Sequence, residues 1–441
     1  MDAFPFIKAR RIRGIKIPHR KHLTDSESVR LRDFKTVTIP VSMHIGAPAK
    51  CTVSEGQQVF VGSVIGEPGS FVSAYTHSSV SGTVKKITSF LSAGGSMVPA
   101  VEIESDGNYT PDPSVAPPEI SDPSSLVSAV RLSGCVGLGG AGFPTHVKLS
   151  LSKDKPHPDY LLINGAECEG YITSDARAMV EDTEYIKTAV EKILDVLDIP
   201  ACIIGIEKNK PAGISALKQA FSDDTRVTVR SLGTSFPQGA EKVLIANLTG
   251  RAVPAGGLPA DAGAVVLNVS TAAFLGKYFT TGMPLVERRI TVDGKAISKP
   301  GNYIVPIGAM IGDIAEMCGG YSSQPGRILL GGTMQGIALW TDSYPVHKNN
   351  NAVLFLTGGE TDEFTDGPCI HCGRCVSSCP MGLSTVEIVF AYNKGDLDRA
   401  SRLGVMNCIE CGCCSFVCPA GRPLTQYMRL GKAAVKKRGK K

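Results

Sequence analysis

Two cysteine runs near the carboxyl end constrain the fold of this chain more than any other feature. The spacing C-x2-C-x2-C-x3-C-P begins at Cys369 and occurs again from Cys408. Thiolates brought together by short turns can each bind one corner of a cubane, so the doubled spacing predicts two 4Fe-4S clusters. The fourth cysteine of each run usually ligates the other cluster. We therefore expect one ligand set of Cys369, Cys372, Cys375 and Cys418, and a second of Cys408, Cys411, Cys414 and Cys379.

Structural zinc and disulfide bonds are the alternative interpretations of these runs. A zinc site of four thiolates does not require four cysteines in each run, and disulfides require an oxidising compartment. The other cysteines are scattered, which is typical of a cytosolic iron–sulfur protein with small core thiols and not of a disulfide framework. They are Cys51, Cys135, Cys168, Cys202, Cys318 and Cys413.

The segment between the two runs has helical periodicity. Its 28 residues include VEIVFAYNKGDLDRASRLGV, in which apolar residues recur at helical spacing. We therefore expect a helical ferredoxin-type domain with an inserted helical hairpin over residues 357–430.

The length of 441 residues suggests about three or four domains with substantial cores. The amino terminus, MDAFPFIKARRIRG, lacks the apolar core of a signal peptide. No stretch reaches about 18 uninterrupted apolar residues, the length of a membrane span. We expect a protein that is soluble or is held at a membrane only by its partners.

Basic residues are concentrated at both ends of the chain, although the net charge is only +5. Such ends suit an anionic partner surface or lipid headgroups. For the carboxyl end, residues 431–441, we prefer a solvated, disordered tail. The basic runs lack interleaved aromatic residues or a reading motif, which argues against nucleic acid as a partner. The basic residues at the two ends of the chain are Lys8, Arg10, Arg11, Arg13, Lys16, Arg20, Lys21, Lys432, Lys436, Lys437, Arg438, Lys440 and Lys441.

Short alternating strands broken by glycines occupy residues 36–104, which predicts an all-β unit. The order of VSEGQQVFVGSVIGEP and SSVSGTVKKI resembles the barrel-sandwich fold of biotinyl and lipoyl carrier domains. The hairpin between these halves, GSFVSAYTHSS, has no lysine for cofactor attachment, so we expect a structural or docking module. An amino-terminal strap, residues 1–35, precedes this unit. Residues 105–123 are rich in proline and short polar residues and form a linker.

Strands and helices alternate over residues 124–285, which predicts a mostly parallel sheet covered on both faces. We expect strands at DYLLING, ACIIGIEK, RVTVRSL and AGAVVLNVS, and one long amphipathic helix at SDARAMVEDTEYIKTAVEKILDVLD. Residues 286–356 return to short strands around one helix, GDIAEMCGG. For them we expect a small α+β unit of β-grasp type.

The run GLGGAGFPTHVKL, residues 137–149, places four glycines ahead of a predicted helix. Glycines let the backbone approach a phosphate or a flat ring closely and direct amide N–H groups at anionic oxygen. Many such loops are only turns. Here the loop is followed by INGAECEG at a strand end, where ligands of open α/β sheets bind.

Together these runs resemble the flavoprotein subunit of respiratory complex I, in which GRGGAGFPTGxKW and CNADEGEPG enclose FMN and NADH. The runs YxCGEE and NNVET of that family correspond to FPQGAEK and LNVST here. Four positions depart from the family pattern, at Leu138, Ala166, Ala240 and Ser270. The matching residues are Gly137, Gly139, Gly140, Ala141, Gly142, Phe143, Pro144, Thr145, Lys148, Asn164, Glu167, Glu169, Gly239, Glu241, Asn268 and Thr271.

The domain order narrows this resemblance, because the complex I flavoprotein has one cluster and no barrel-sandwich unit. The domain order resembles that of the C subunit of the Rnf complex, the membrane ferredoxin:NAD oxidoreductase. This order is strap, barrel-sandwich, flavin domain, β-grasp domain and two-cluster ferredoxin domain. The strap run GIKIPHRKHLT and both cysteine runs are similar to that family. The resemblance covers essentially the whole chain.

The resemblance implies a multidomain α/β and α+β protein with a Rossmann-like flavin/NADH domain and with FMN, NAD(H) and two 4Fe-4S clusters as its redox groups. FMN can exchange a hydride with nicotinamide and single electrons with clusters, so no general base is needed. The glycine loop would contact FMN and phosphate, Lys148 would supply positive charge, and Asn164 and Asn268 would hydrogen-bond the flavin. The ribose or nicotinamide amide would be bound by Glu167, Glu169 and Glu241.

The family also implies partners and a location. We expect other Rnf subunits as partners, including a ferredoxin-like iron–sulfur subunit and membrane subunits, at the cytoplasmic face of the membrane. Two alternatives remain. One is a cobalamin reductase with similar domains, against which the domain order argues. The other is an electron relay whose flavin site is inactive because of Leu138, Ala166 and Ala240.

Overall fold

The computed structural model describes residues 13–152, 155–361 and 366–438. Five of the basic residues at the chain ends lie outside the described residues: Lys8, Arg10, Arg11, Lys440 and Lys441. Both cysteine runs and the glycine loop lie within the described residues.

The amino-terminal part contains a short strap strand and two small antiparallel sheets. The strands are β1 (Ser28–Arg30), β2 (Thr36–Pro40), β3 (Lys50–Cys51), β4 (Gln58–Val59), β5 (Val64–Glu67), β6 (Thr76–His77), β7 (Gly82–Leu91) and β8 (Met97–Ser105). One sheet has the order β2-β8-β7-β4 and the other β3-β5-β6. Val37 and Ile39 pair with Ile103 and Val101, and all four are fully buried, as period-two alternation requires.

The hairpin that would carry a cofactor in a carrier domain is fixed against the next domain. The carbonyl oxygen of Phe71 lies 2.8 Å from His146 Nε2, and Arg131 donates to the carbonyl of Ser70 at 3.1 Å. Lys348 donates to the carbonyls of Tyr75 and Gly134. These contacts agree with a docking role for the hairpin.

Residues 123–281 form a four-stranded parallel sheet between helices. The elements are α1 (Pro123–Leu132), α2 (Thr145–Leu149), β9 (Tyr160–Gly165), α3 (Ser174–Glu181), α4 (Thr183–Leu197), β10 (Ala201–Glu207), α5 (Pro211–Ala220), β11 (Val227–Leu232), α6 (Glu241–Thr249), β12 (Ala264–Asn268) and α7 (Val269–Thr281). The strand order is β11-β10-β9-β12. Separate apolar clusters cover the two faces, one with α4 and α7 and one with α6.

The single long helix predicted after β9 is wrong, because the chain breaks it into α3 and α4. The backbone of Asp182 is not helical, with φ −116° and ψ 24°. The hydroxyl of Thr183 donates back to the carbonyl of Met179 at 2.8 Å. Arg289 holds the break from outside by donating to Asp182 at 2.5 Å and to Glu181 at 3.0 Å. Such contacts with another domain cannot be read from helical periodicity.

Residues 287–356 form a six-stranded mixed sheet with one helix. The elements are β13 (Glu287–Asp293), β14 (Gly301–Pro306), α8 (Ile311–Met317), β15 (Arg327–Leu330), β16 (Ile337–Leu339) and β17 (Ala352–Leu356). The sheet order is β1-β14-β13-β17-β15-β16, so the strap strand is one edge of this sheet. The core of this region continues into the barrel region without interruption. Sequence analysis did not predict β1, β16 or β17.

The carboxyl-terminal region is helical, as predicted. Its helices are α9 (Arg374–Ser377), α10 (Thr385–Asn393), α11 (Leu397–Arg402), α12 (Cys413–Phe416) and α13 (Leu424–Arg438). The predicted insertion is the hairpin of α10 and α11. The preferred disordered tail is wrong for residues 431–438, because they continue α13. Lys432 in this helix pairs with Glu410 and donates to the carbonyl of Cys408 at 2.9 Å.

None of the 14 cysteines forms a disulfide bond, and Cys135, Cys202, Cys318 and Cys413 are buried. No helix in residues 13–152, 155–361 and 366–438 has both the length and the apolar character needed to cross a membrane.

Candidate functional site

The glycine loop closes on itself and presents its tip to open space. The amide of Gly137 donates to the carbonyl of Phe143 at 2.8 Å, and that of Gly142 to the carbonyl of Gly137 at 3.2 Å. Gly140 has φ +119°, and a Cβ built there would meet no atom within 4 Å. With Gly139 and Ala141 it is exposed. The loop therefore leaves a cradle in front of Gly140 that a side chain would fill.

Two asparagines lie at the carboxyl ends of neighbouring strands. Asn164 on β9 and Asn268 on β12 are register partners. The strand order reverses between β9 and β12, which makes this edge the topological switch point where ligands of open α/β sheets bind. Asn164 donates to the carbonyl of Gly239 at 2.8 Å, and Asn268 accepts from the amide of Ser270 at 2.9 Å. We name this edge, with the glycine loop, the flavin edge.

Asp175 connects the flavin edge to the start of α7. Its carboxylate accepts from the amide nitrogen of Asn268 at 2.7 Å and from the hydroxyl of Ser270 at 2.5 Å. Thr271 accepts from the amide of Leu138 at 3.0 Å, which ties the glycine loop to the same turn. Asp175 was not predicted as a site residue from the sequence. Its position after INGAECEG, at the same sheet edge, was the pattern that could have identified it.

Glu167 is buried inside the flavin edge. One carboxylate oxygen accepts from the amide of Asp175 at 2.7 Å, and the other lies 3.8 Å from the amine of Lys21. Burial raises the pKa of Glu167 to about 7, although the charge of Lys21 opposes this. The second oxygen has no hydrogen-bond partner among the described residues. Lys21 is therefore part of this site, and the prediction that it belongs to an exposed basic end is wrong.

A second buried ion pair stands behind Glu167. Lys210 lies 2.7 Å from Glu207, which ends β10, and it also donates to the carbonyl of Glu167 at 3.2 Å. Both side chains are almost completely buried. This pair was not predicted from the sequence, although Glu207 ends a strand beside β9 and so reaches the same edge.

Glu169 contacts the loop between β15 and β16 of the mixed sheet. Its carboxylate accepts from the amides of Met334 and Gln335 at 3.0 and 2.9 Å. A Cβ at Gly332 would lie 2.3 Å from this carboxylate, so the facing loop needs a glycine. Burial raises the pKa of Glu169. Glu169 thus joins two domains, which the sequence did not predict.

Lys148 and Glu241 form an ion pair beside the sheet edge. The amine of Lys148 lies 2.7 Å from Glu241 and also donates to the carbonyl of Val266 at 3.0 Å. Glu241 lies in the first turn of α6 and is partly exposed. Gly239 lies just before it, where a Cβ would be 2.4 Å from the carbonyl of Ala166. Apart from Glu169, the structure thus brings the polar site residues predicted at the sheet edge into one connected region.

The two cysteine runs fold with the same local backbone. His371 and Glu410, each two residues after the first cysteine of its run, have φ of 53° and 57°. Gly373 and Gly412 follow with positive φ, and a short helix begins after each. The repeated turn wraps each run around a small cavity.

Each cavity is lined by three predicted ligands of one run and the fourth cysteine of the other, so the two expected ligand sets are each brought together. Cys413, which is outside both expected sets, also lines the cavity of Cys408, Cys411, Cys414 and Cys379. Among the described residues no group of three or more Cys, His, Asp or Glu side chains could hold a single metal ion. A cubane binds each thiolate at a different corner, so thiolates spread around a cavity fit it better than one tetrahedral ion.

The second cysteine run packs directly on the flavin edge. The thiol of Cys413 lies 3.8 Å from the carbonyl of Phe236, just before Gly239. Both belong to a buried cluster with Ile15 and Ile17 of the strap, which Cys168 flanks. The cavity that Cys408, Cys411 and Cys414 share with Cys379 is therefore the one nearer the flavin edge.

Four family models match successive parts of the chain. They are the RnfC barrel sandwich hybrid domain over residues 10–108, the Nuo51 FMN-binding domain over residues 130–276, the SLBB domain over residues 289–338 and the 4Fe-4S dicluster domain over residues 362–419. The predicted multidomain mixture of α/β and α+β units agrees with these models. The fold and the two sites thus define an FMN-binding protein with two iron–sulfur clusters.

Relatives identify the family. The chain is 42% identical to the C subunit of the Na+-translocating ferredoxin:NAD+ oxidoreductase complex of Acetobacterium woodii, covering 96% of each chain. It is 41% identical to the C subunit of the proton-translocating complex of Clostridium ljungdahlii, over 79% of this chain and 76% of the relative. It is 38% identical to the C subunit of the ion-translocating oxidoreductase complex of Rhodobacter capsulatus, over 96% and 83%. The chain belongs to the family of Rnf complex C subunits, and the predicted resemblance is confirmed.

Proposed function

We propose that this chain exchanges hydride between NAD(H) and FMN at the flavin edge and passes single electrons through two 4Fe-4S clusters. The observation that carries this proposal is the packing of the second cysteine run on the flavin edge, through Cys413 and Phe236. A nicotinamide exchanges two electrons at once and a cluster exchanges one. FMN supplies the conversion between them when it is bound.

The residues of the flavin edge bind and orient this cofactor. The backbone of Gly139 and Gly140 offers a surface without side chains, and Ala141 adds only a methyl group, so a flat ring can lie against the loop. Asn164 and Asn268 are held in fixed rotamers by Gly239 and Asp175, so their amides are preorganised toward the crevice.

The carboxylates at this edge have different roles in the proposal. Glu241 is the most accessible, so it is the first candidate for the ribose or the nicotinamide amide. Lys148 neutralises it in the absence of ligand and supplies positive charge for phosphate. Glu167 and Glu169 remain candidates for nucleotide contact, and each also fixes a neighbouring loop. Leu138, which stands where the complex I family has arginine, is buried and holds the loop by its backbone.

The cysteine sets define an inner and an outer cluster site. The inner set, Cys379 with Cys408, Cys411 and Cys414, lies on the side of the flavin edge. The outer set, Cys369, Cys372, Cys375 and Cys418, lines a cavity where Cys372 is exposed. Exposure of a cluster site suits electron exchange with a partner protein.

The domains outside the redox sites serve assembly in this proposal. The barrel-sandwich hairpin is docked against the next domain and has no lysine for cofactor attachment. Residues 124–285 form a Rossmann-like domain, and residues 286–356 form a β-grasp domain. The relatives are named as Na+-translocating and proton-translocating complexes, so this chain would act in an ion-translocating complex with membrane subunits and a ferredoxin-like subunit.

Reconstitution tests the function directly. The purified chain is loaded with FMN, iron and sulfide, and reduction of a one-electron dye by NADH is followed. We expect dye reduction, bleaching of the yellow chromophore by NADH and about eight irons per chain. Bound iron without flavin bleaching would favour the relay alternative, and preferential reduction of cobalamin would favour the reductase alternative.

Fractionation tests the proposed location at the cytoplasmic face of the membrane. Exposed basic residues such as Arg13, Lys16 and Lys436 would contact an anionic surface, and such contacts are screened by salt. In cells that express the rest of the complex, we expect the chain on membranes and its release by high salt without detergent. Recovery wholly in the cytosol of such cells would contradict this location.

A further inference from the structure

A cavity of about 360 Å³ lies where the strap, the barrel region, the parallel-sheet domain and the mixed sheet meet. Its walls come mainly from the end of β1, one face of α7, and β13 and β14. This volume is within the range of small-molecule pockets, roughly 300–1,000 Å³. The cavity shares Leu138 and Ser270 with the flavin edge, and its other walls play no part in the function proposed above.

Positive charge dominates the lining of this cavity. Five cationic side chains line it against two carboxylates. The cations are Arg30, Arg32, Lys277, Arg288 and Arg289, and the carboxylates are Asp182 and Glu287. The cations come from the strap, α7 and β13, so no single surface helix or basic run explains them.

Both carboxylates already form ion pairs with cations of the lining. Glu287 lies 2.7 Å from Lys277 and also pairs with Arg30. Asp182 pairs with Arg289 at 2.5 Å. Arg32 makes no ion pair with any residue that the structure describes, and its guanidinium lies 5.3 Å from the ring centroid of Tyr109. The charge of Arg32 is therefore not neutralised by the part of the chain that the structure describes.

Arg288 is the most deeply placed of the five cations. Its guanidinium is fully buried and donates to the carbonyls of Leu138 at 3.2 Å and Asn350 at 3.0 Å. Among the described residues it has no ion-pair partner. A buried cation held only by carbonyl dipoles adds to the positive potential of the cavity.

The cations also disfavour one another's charge. Burial lowers the pKa of Lys277, and the nearby charge of Arg30 lowers it further. Burial, then Arg32 and Arg289, lower the pKa of Arg30. A bound anion would relieve this repulsion.

Flat and apolar side chains form the rest of the wall. Tyr109, Tyr185, Phe274 and Met283 line the cavity together with prolines. Tyr109 has φ 53°, an uncommon conformation for a bulky residue, and its hydroxyl donates to the carbonyl of Arg32. The structure thus fixes an aromatic ring of the linker beside Arg32, a cation with no carboxylate partner among the described residues.

We propose that this cavity binds a small anionic metabolite, with a phosphate or carboxylate group held by Arg30, Arg32 and Lys277 and a flat apolar body against Phe274 and Tyr185. Arginine forks match the oxygens of either anion in geometry. The site adjoins the flavin edge through Leu138 and Ser270, but its proposed anion-binding residues are not among those proposed to bind FMN or the nucleotide.

Calorimetry on the FMN-loaded protein tests this proposal. The probes are 1-naphthyl phosphate, 1-naphthoate, the uncharged 1-naphthol and inorganic phosphate. We expect one molecule of 1-naphthyl phosphate or 1-naphthoate to bind per chain, at least about tenfold more tightly than 1-naphthol or inorganic phosphate. The tighter of the two anions identifies the anionic group. Equal binding of 1-naphthol, or no binding of either aromatic anion, would overturn the proposal.

Two variants locate the binding. The double variant Arg32→Gln with Lys277→Gln should lower the affinity for the probe at least about tenfold. The control, Lys85→Gln with Lys86→Gln on the exposed face of β7, removes the same charge and should not change this affinity. Ala273→Leu fills the cavity without changing charge and should also abolish binding. Bound FMN, measured in each variant, should stay constant. Unchanged probe affinity in both the double glutamine variant and Ala273→Leu would refute the site.

Discussion

The two redox sites of this chain are assembled from the sequence in different ways. In the cysteine region, three ligands of each set lie within one short turn, residues 369–375 or 408–414, and the same backbone conformation repeats in both. At the flavin edge, the polar groups come from segments spread between the strap and α7 and are joined by hydrogen bonds of Asp175 and Glu167. The cluster sites are therefore local, and the flavin site depends on the tertiary fold.

This difference leads to different expectations for substitution. Replacing one cysteine ligand should affect the one cluster that this cysteine ligates and little else. A change at the flavin edge should spread, because Asp175, Asn268 and Ser270 share one network. Four substitutions test this contrast, beginning with the largest expected effect.

Replacing Gly140 with valine should abolish FMN binding, with an affinity at least about 100-fold lower. The Cβ would enter the open space in front of the loop, and φ of +119° disfavours any side chain. Bound flavin is measured by absorbance after gel filtration, with iron measured in parallel and expected to stay at the wild-type level. Gly56→Val is the matched control, since Gly56 also has positive φ and open space but lies in the barrel region. Full flavin content in Gly140→Val would mean that the glycine loop is an ordinary turn and does not bind FMN.

Replacing Cys372 with alanine should remove about half of the iron and leave FMN in place. Cys372 belongs to the outer set, whose cavity does not share residues with the flavin edge. The control is Cys318→Ala, a buried cysteine of the mixed-sheet region that lines neither cavity, which should keep all of its iron. Stoichiometric zinc in place of iron would contradict the cluster interpretation.

The same contrast explains which parts could be predicted from the sequence. The spacing of the cysteines and the glycine-rich run determine local turns, so both regions and the four-strand parallel sheet were predicted. The break at Asp182 and the strand β1 depend on partners far along the chain, Arg289 and β14, and were missed. Local pattern carries no information on such partners.

Candidate residues divide in the same way. Asn164 and Asn268 were predicted and lie paired at the crevice. The buried role of Lys21 beside Glu167 was not predicted, because a basic residue in a basic segment gives no indication that a carboxylate from residue 167 will cover it. A pattern of charged residues in the sequence predicts a charged surface only when the fold leaves those side chains exposed.

Replacing Asp175 with asparagine should weaken FMN binding about tenfold without loss of iron. The variant would lose the carboxylate that accepts from both Asn268 and Ser270, so both side chains would lose their fixed orientation. Flavin affinity is measured by fluorescence titration. Asp198→Asn, at the exposed end of α4, makes the same charge change and should have no effect. If FMN affinity were the same in both variants, the flavin edge would be as local as the cluster sites.

The smallest effect should be a pH dependence of stability caused by Glu167. Burial raises its folded-state pKa to about 7 from an ordinary value of 4.5. The folded state therefore binds the proton more tightly, so this contribution is fully present below about pH 4.5 and is lost as the pH rises through about 7. Relative to Glu167→Gln, the wild type should lose roughly 1 to 2 kcal/mol of unfolding free energy between pH 5.5 and 8. Denaturant unfolding of both proteins across this range measures the difference, with Glu119→Gln in the exposed linker as the control. Parallel pH profiles for wild type and Glu167→Gln would mean that the carboxylate is charged throughout and that the Lys21 pair outweighs its burial.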